Sequence, residues 1–328
     1  MSQPRVTVIL PTHNRPALLA EAVASVCAQT FTDWELIIVD DASSPSVSLD
    51  VPAEVRGKVR CLRHPQSQGG AAGKNTGIAA GRGELFAFID DDDLYEPRYL
   101  ERAVAVLDRY RQIDVLFMGV GWFGSGARWG EQAHGESTAR LLAEAKPQLL
   151  DDDVSLFGER FLGALLKRVP MAFQRPVVRR AALDRIGHYR ADCLLWDCEW
   201  ALRASLAATC AYRKQPLYQQ RLDGQGYSSR DDRELDHLKS GLDMAWQLYV
   251  QPPFDIPADA RGLLCEAAGH ASLSIARHHA KRRRVGPALR AWARSRTVCP
   301  SVGGLRSLAS VLLTLIRSTG AAGLLPSL

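Results

Sequence analysis

Three short runs of apolar and β-branched residues set the frame for this chain: Val6 to Leu10, Leu36 to Val39 and Leu85 to Ile89. Each is too short for a helix and rich in β-branched or aromatic residues, as a strand covered on both faces must be. The stretches between them have helical periodicity. Pro16 opens a helix over Ala17 to Gln29 with Leu18, Leu19, Ala22, Val23 and Val26 on one stripe. Lys58 to His64 reads as a further strand, followed by a Gly-rich turn and a helix over Ala71 to Ala80. Pro97 opens another helix with Leu100, Val104 and Leu107 inward, and Asp114 to Met118 is strand-like. This alternation predicts an α/β fold with a mostly parallel, Rossmann-like sheet covered by helices on both faces. Farther on, Arg179 to Gly187 reads as a short helix closed by glycine, Asp197 to Ala207 as a helix and Tyr212 to Gln220 as a late strand. The pattern is helical after Asp231, so the expected division is a main domain over 1–235 and a helical C-terminal region over 236–328.

Composition narrows the class. With 46% hydrophobic and 23% charged residues over 328 positions, disorder, collagen and coiled coil are excluded. The seven cysteines are odd in number and form no Cys-x-x-Cys pair, which argues against a disulfide scaffold or a zinc ribbon and fits a reducing compartment. No signal-peptide stretch follows Met1 and no 18-residue uncharged apolar run occurs, so a cytoplasmic protein is expected. Charge is unevenly spread. Residues 261–328 hold eleven Lys and Arg against the single acid Glu266, leaving 30 bases against 35 acids elsewhere. Such asymmetry suggests an anionic partner for the basic tail.

Parallel sheets bind ligands beyond the carboxyl ends of their strands, and two of those ends carry aspartates. The sharper cluster is Asp90-Asp91-Asp92-Asp93. Close carboxylate pairs repel by about 1 kcal/mol in water and several times that in a cleft, so a hard divalent cation, Mg²⁺ or Mn²⁺, is the natural counterpart. In extended backbone Asp90 and Asp92 would face one way and Asp91 and Asp93 the other, with Asp92 the first choice for metal and Asp93 free to cap the next helix. A solvated loop of helix-capping aspartates is the plainer alternative. Asp40 and Asp41 can accept hydrogen bonds from a nucleobase or ribose, or form an Asx-type turn with Ser43 and Ser44. Gly69 to Gly77 is only loosely like a phosphate loop, although Lys74 within it could meet a phosphate.

Assembled in order, these segments resemble a known family. Pro11-Thr12-His13-Asn14-Arg15, Val39-Asp40-Asp41-Ala42-Ser43, Gly77 to Glu84 leading into the quartet, Arg179 to Tyr189, and Trp196-Asp197-Cys198-Glu199-Trp200 are similar to the family 2 glycosyltransferases of GT-A fold. The likeness covers roughly residues 5 to 230. It implies an inverting enzyme that moves a sugar from a nucleoside diphosphate sugar to a hydroxyl acceptor, in cell-surface glycan or polysaccharide biosynthesis. It further implies Asp197 as catalytic base, Asp90 and Asp92 as metal ligands, and donor contacts from Pro11, Thr12, Asn14, Arg15, Asp40, Asp41, Lys74, Asn75, Asp90 and Asp91. Three departures stand out. Lys74 occupies a position where Arg is common, Trp196 replaces the usual Glu before the base (making Glu199 the fallback), and no Gln-x-x-Arg-Trp occurs, which argues against a processive synthase.

Proton removal by one carboxylate and charge neutralisation on a leaving diphosphate are what such a transfer needs. A plain helix cap is the alternative role for Asp197. At the level of the whole chain, the alternatives are a sugar-nucleotide nucleotidyltransferase, whose basic Gly-rich signature near the first strand is absent, or a binding protein that has lost catalysis. The tail carries two helical stripes, one with Leu264, Ala268, Ala271, Ile275 and His279 and one with Leu305, Leu308, Leu312 and Leu315. With Lys281-Arg282-Arg283-Arg284 and Trp292 between them, it reads as a peripheral binder of the anionic inner membrane face, or as helices packed on the body. In the membrane reading Leu308, Leu312 and Leu315 point down. No nucleic acid is expected, since no reading module occurs.

Overall fold

The computed structural model describes residues 3–48, 50–223 and 233–318, and the chain divides into two compact units. One comprises Met1–Asp192 with Trp196–Gly226, the other Cys193–Leu195 with Tyr227–Leu328. The segment from Arg221 to Ser228, which contains no His where the resemblance would place a metal-binding one, lies mostly outside the described residues.

The first unit holds strands β1 (Val6–Thr12), β2 (Trp34–Asp40), β3 (Val59–Arg63), β4 (Leu85–Phe88), β5 (Leu94–Tyr95), β6 (Val115–Phe123), β7 (Gln148–Leu149), β8 (Val154–Leu156), β9 (Pro176–Arg179) and β10 (Cys210–Arg221). Its helices are α1 (Pro16–Cys27), α2 (Gly70–Ala80), α3 (Tyr99–Arg109), α4 (Ala127–Ala145), α5 (Arg160–Lys167), α6 (Arg180–Ile186) and α7 (Trp196–Ala207). The strand order is β3-β2-β1-β4-β9-β6-β10-β8-β7, with β5 paired to β10. Strands β1, β2, β3 and β4 run parallel, as do β6 and β10, while β9 lies antiparallel between β4 and β6. The fold is therefore α/β with strands mostly in one direction, and the carboxyl ends of six strands share one edge with the start of β9.

Side-chain alternation explains why both faces are covered. Val8, Leu10, Leu36, Ile38, Leu85 and Ala87 pack in one core with Leu19, Val23 and Val26 of α1 and Leu100, Val104 and Leu107 of α3. Ile9 faces the opposite way, where α2 crosses so closely that a Cβ on Gly77 would lie 2.4 Å from it. Gly73 and Gly77 thus serve close helix-on-sheet packing, which accounts for the poor match to a phosphate loop. The long polar stretch after Gly126 has no clear period in sequence, yet it folds as α4.

The second unit contains α8 (Glu234–Val250), α9 (Ala258–Lys281), α10 (Val285–Val298) and α11 (Leu305–Ser318). Leu273, Ala276, Ala280, Ala288 and Val311 form a core, with Trp292 and Leu315 packed against it. Trp292 also donates from Nε1 to Ser307 Oγ at 3.1 Å. This corrects the expected stripe: Leu315 and Trp292 turn inward, while Leu305, Leu312, Leu313 and Ile316 are exposed beside exposed Arg306 and Arg317. Among the described residues no helix is long and apolar enough to cross a membrane.

Candidate active site

The four aspartates do not lie in extended backbone. The chain turns at Asp91 and Asp92, the Asp93 N–H donating to the Asp90 carbonyl at 3.1 Å. The expected alternation therefore fails, and the carboxylates pair differently. Asp91 and Asp92 share one guanidinium nitrogen of Arg15, at 3.1 and 3.0 Å. Asp90 and Asp93 share Arg175, at 2.6 and 3.9 Å. Asp91 also accepts from Thr12 Oγ1 at 2.7 Å. Asp93 caps no helix. It accepts from the Tyr218 hydroxyl at 2.7 Å and the Arg221 backbone N–H at 3.0 Å, which ties the turn to β10.

Much of the repulsion expected of the quartet is thus offset by the protein's own cations. Burial would raise the Asp90 carboxyl, but Arg175 and Lys74 outweigh it and hold it well below the usual range. Burial pushes Asp93 upward, Asp90 and Asp92 add to that, and Arg175 opposes it only in part. Only two of the four side chains reach solvent appreciably, Asp90 at 28% and Asp92 at 23%, against 8% for Asp91 and 2% for Asp93. Among the described residues no three His, Cys, Asp or Glu side chains converge on a metal position. The chain therefore offers two hard carboxylates. That set suits Mg²⁺ or Mn²⁺ when phosphate oxygens and water complete the shell.

At the ends of β1 and β2 the predicted donor residues form a braced loop pair. Asn14, at φ 55°, donates its backbone N–H to Ser43 Oγ (2.9 Å), and its side-chain oxygen accepts from the Ser44 N–H (2.7 Å). Asp40 accepts from the Ser43 and Val47 N–H groups and from Arg63, so it does form the Asx-type turn. Asp41 is buried and accepts from Ser67 Oγ and the Gln68 and Gly69 N–H groups, and it pairs with His64 at 2.6 Å. Burial alone would raise this carboxyl, but these hydrogen bonds draw it down to about 2. Gly69 takes φ 87° to present its N–H there, a conformation L side chains rarely adopt. Pro11 lies beneath α2, where a Cβ on Gly73 would approach it to 2.8 Å.

Lys74 is buried. Its ammonium lies 3.1 Å from Asp90 and 4.5 Å from the centre of the Trp196 ring, with Phe88 and Tyr189 each at 5.8 Å. Burial lowers its pKa, and Asp90 offsets part of the effect. The Trp in place of the usual Glu thus becomes one wall of an aromatic cage around this cation. Asn75 uses both ends of its amide to clamp the Tyr189 backbone, at 2.8 and 2.9 Å.

Asp197 stands in the first turn of α7, 3.8 Å from Arg175. Glu199 is 1% exposed, and both its oxygens hold Arg203 at 2.8 Å. That pairing occupies Glu199 in structure and leaves Asp197 as the carboxylate of α7 beside the quartet. Arg175, Tyr218 and Arg221 have no motif of their own. Their one local signal is that an Arg immediately precedes a strand and another ends one.

The sequence profile of glycosyl transferase family 2 matches residues 7–166. One relative is the UDP-Glc:alpha-D-GlcNAc-diphosphoundecaprenol beta-1,3-glucosyltransferase WfgD of Escherichia coli, 28% identical over 102 residues, 31% of this chain and 40% of that one. Such alignments span less than half the length of the curated relatives. In fold, the chain is similar to S. aureus TarS 1-349 in complex with UDP-GlcNAc (TM-score 0.62, 17% identity, 96% of this chain and 89% of that one). It is also similar to the mannosyltransferase PcManGT from Pyrobaculum calidifontis in complex with GDP-Man and Mn²⁺ (TM-score 0.55, 20% identity, 98% and 80%).

Proposed function

This chain belongs to glycosyl transferase family 2, and from that premise we propose that it transfers a sugar, with inversion, from a nucleoside diphosphate sugar to a hydroxyl acceptor. The observation that carries this reading is the gathering of Asp197 and the strand-end quartet around Arg175. Asp197 takes the proton from the acceptor hydroxyl as its oxygen attacks the anomeric carbon, and the bond from that carbon to the diphosphate breaks. Arg175, a permanent cation, holds the Asp90 carboxyl below the usual range and lies 3.8 Å from Asp197. Asp90 and Asp92 would hold Mg²⁺ or Mn²⁺, which neutralises charge on the diphosphate when bound. Asp40, Asp41, Asn14, Pro11, Thr12, Arg15, Asp91, Lys74 and Asn75 build the donor-facing loops, with Asp41 the residue assigned to the nucleoside. A nucleotidyltransferase is less well supported, since Arg15 at the first loop is bound to Asp91 and Asp92.

The acceptor we assign is a lipid-linked glycan at the cytoplasmic membrane face, by analogy with WfgD. A peripheral membrane contact is assigned to the second unit, through Leu305, Leu312, Leu313 and Ile316 with Arg306 and Arg317 alongside. The deciding experiment adds UDP-, GDP- and dTDP-sugars with Mn²⁺ and an acceptor extract. Release of nucleoside diphosphate from one donor, lost in EDTA and in Asp92→Asn, supports the reading. Full activity in EDTA refutes the metal role, and pyrophosphate release with a sugar phosphate points to the nucleotidyltransferase.

A further inference from the structure

Trp129 is the one exposed aromatic side chain among the described residues, at 65% exposure. It stands in the first turn of α4, edge-on to His134 with ring centres 5.7 Å apart. His134 in turn stacks on Trp122 at 4.5 Å and 17°. Large aromatic rings offer more apolar area than most side chains, and here the exposed indole belongs to a cluster of three rings rather than standing singly.

The cluster lies at the edge that carries the candidate active site. Trp122 and Phe123 end β6, and Phe123 is in register with Arg221 of β10. Arg221 covers the Phe123 ring at 4.4 Å and donates from Nε to the Asp92 carbonyl at 3.0 Å. The link to α4 is firmly held. Gly126 N–H donates to the Leu222 carbonyl (2.7 Å), Ser125 N–H donates to Asp223 (2.8 Å), and a Cβ on Gly130 would lie 2.8 Å from the Trp122 ring. Burial, with Arg168 adding to it, lowers the His134 pKa, so near neutral pH its ring has one N–H donor and one acceptor nitrogen.

A pyranose presents an apolar C–H face and a rim of hydroxyls. An exposed indole beside a neutral imidazole matches both. We infer that the exposed Trp129 ring, with His134 held beside it by stacking on Trp122, forms a platform for a sugar ring of the acceptor. The inference rests on the transferase reading for the word acceptor, but the platform itself is a carbohydrate site whichever reaction follows.

The test uses the full chain and a panel of methyl glycosides of glucose, N-acetylglucosamine, mannose and rhamnose, observed by saturation-transfer NMR with UDP or GDP present. At least one glycoside should receive saturation on its ring C–H protons. Trp129→Ala should weaken its binding about tenfold or more and Trp129→Phe about threefold or less, with nucleotide affinity unchanged in both. No transfer to any glycoside, or equal binding by Trp129→Ala, overturns the platform. If the glycosides behave as expected while no nucleotide sugar is bound or turned over, the platform stands and the transferase reading falls.

Discussion

The strand-end edge and the basic helical unit treat charge in opposite ways. At the edge, the Asp90–Asp93 carboxylates each meet an Arg or Lys within 4 Å, and Lys74 and Arg175 are nearly fully buried. In the helical unit Arg261, Arg277, Lys281, Arg282, Arg283, Arg284, Arg290, Arg294, Arg296, Arg306 and Arg317 are all exposed, with Glu266 the single acid among the residues from Arg261 onward. Charge compensated internally and out of water fixes geometry, because removing one partner strands the other. Charge left on the surface costs little to keep and acts over a Debye length on whatever approaches. The first arrangement suits a site, the second a docking face.

The contrast breaks most readily at Arg175. Arg175→Met should leave Asp90 and Asp93 short of their shared cation and destabilise the first unit by about 3–5 kcal/mol, read by urea unfolding. Arg175→Lys should recover part of that loss. A change under about 1 kcal/mol in the Met variant would show that the quartet does not depend on it.

Asp197→Asn should reduce turnover by about 10² to 10⁴ while donor affinity stays within about threefold. Loss of donor binding instead would move Asp197 into the donor site.

The third effect is on stability and carries a pH signature. The folded Asp41 carboxyl titrates at about 2, below the usual 3.8. Its contribution, on the order of 2 kcal/mol, is therefore present above pH 4 and fades as pH falls toward 2. The Tm gap between the protein and Asp41→Asn should be widest at neutral pH and close on acidification.

The smallest effect sharpens the other side of the comparison. Arg306→Gln and Arg317→Gln should each weaken binding to anionic vesicles by about 1 kcal/mol, more at low salt than at high salt, with nucleotide binding unaffected. Equal sedimentation with neutral vesicles would remove the electrostatic contribution.

Much of the fold is legible without coordinates because its signals are local. Short apolar runs and Pro-opened helices match β1, β2, β4, α1, α2, α3 and α7 within a few residues. The aspartates stand out for the same reason, since strand ends are marked by where apolar runs stop. By contrast α4 has no clear apolar stripe, being polar along most of its length with four buried residues, and its periodicity gives little warning of a 19-residue helix.

What the sequence alone determined is which residue types stand at the strand ends: Asp40 and Asp41, the quartet, and Asp197 at a helix start. Their partners were decided by tertiary structure. Arg175 reaches the quartet only because β9 inserts antiparallel between β4 and β6, so that the start of that strand, rather than its end, lies on the edge with the candidate site. Tyr218 and Arg221 arrive from 125 and 128 residues away along the chain. Turning at Asp91 and Asp92 then reassigned which carboxylates share a cation. In the tail, periodicity marked an apolar stripe on α11, but only packing against α9 and α10 chose which side of it turned inward. Apolar spacing is written every few residues, whereas strand direction and charge pairing depend on contacts between distant segments, which exist only once the chain has folded.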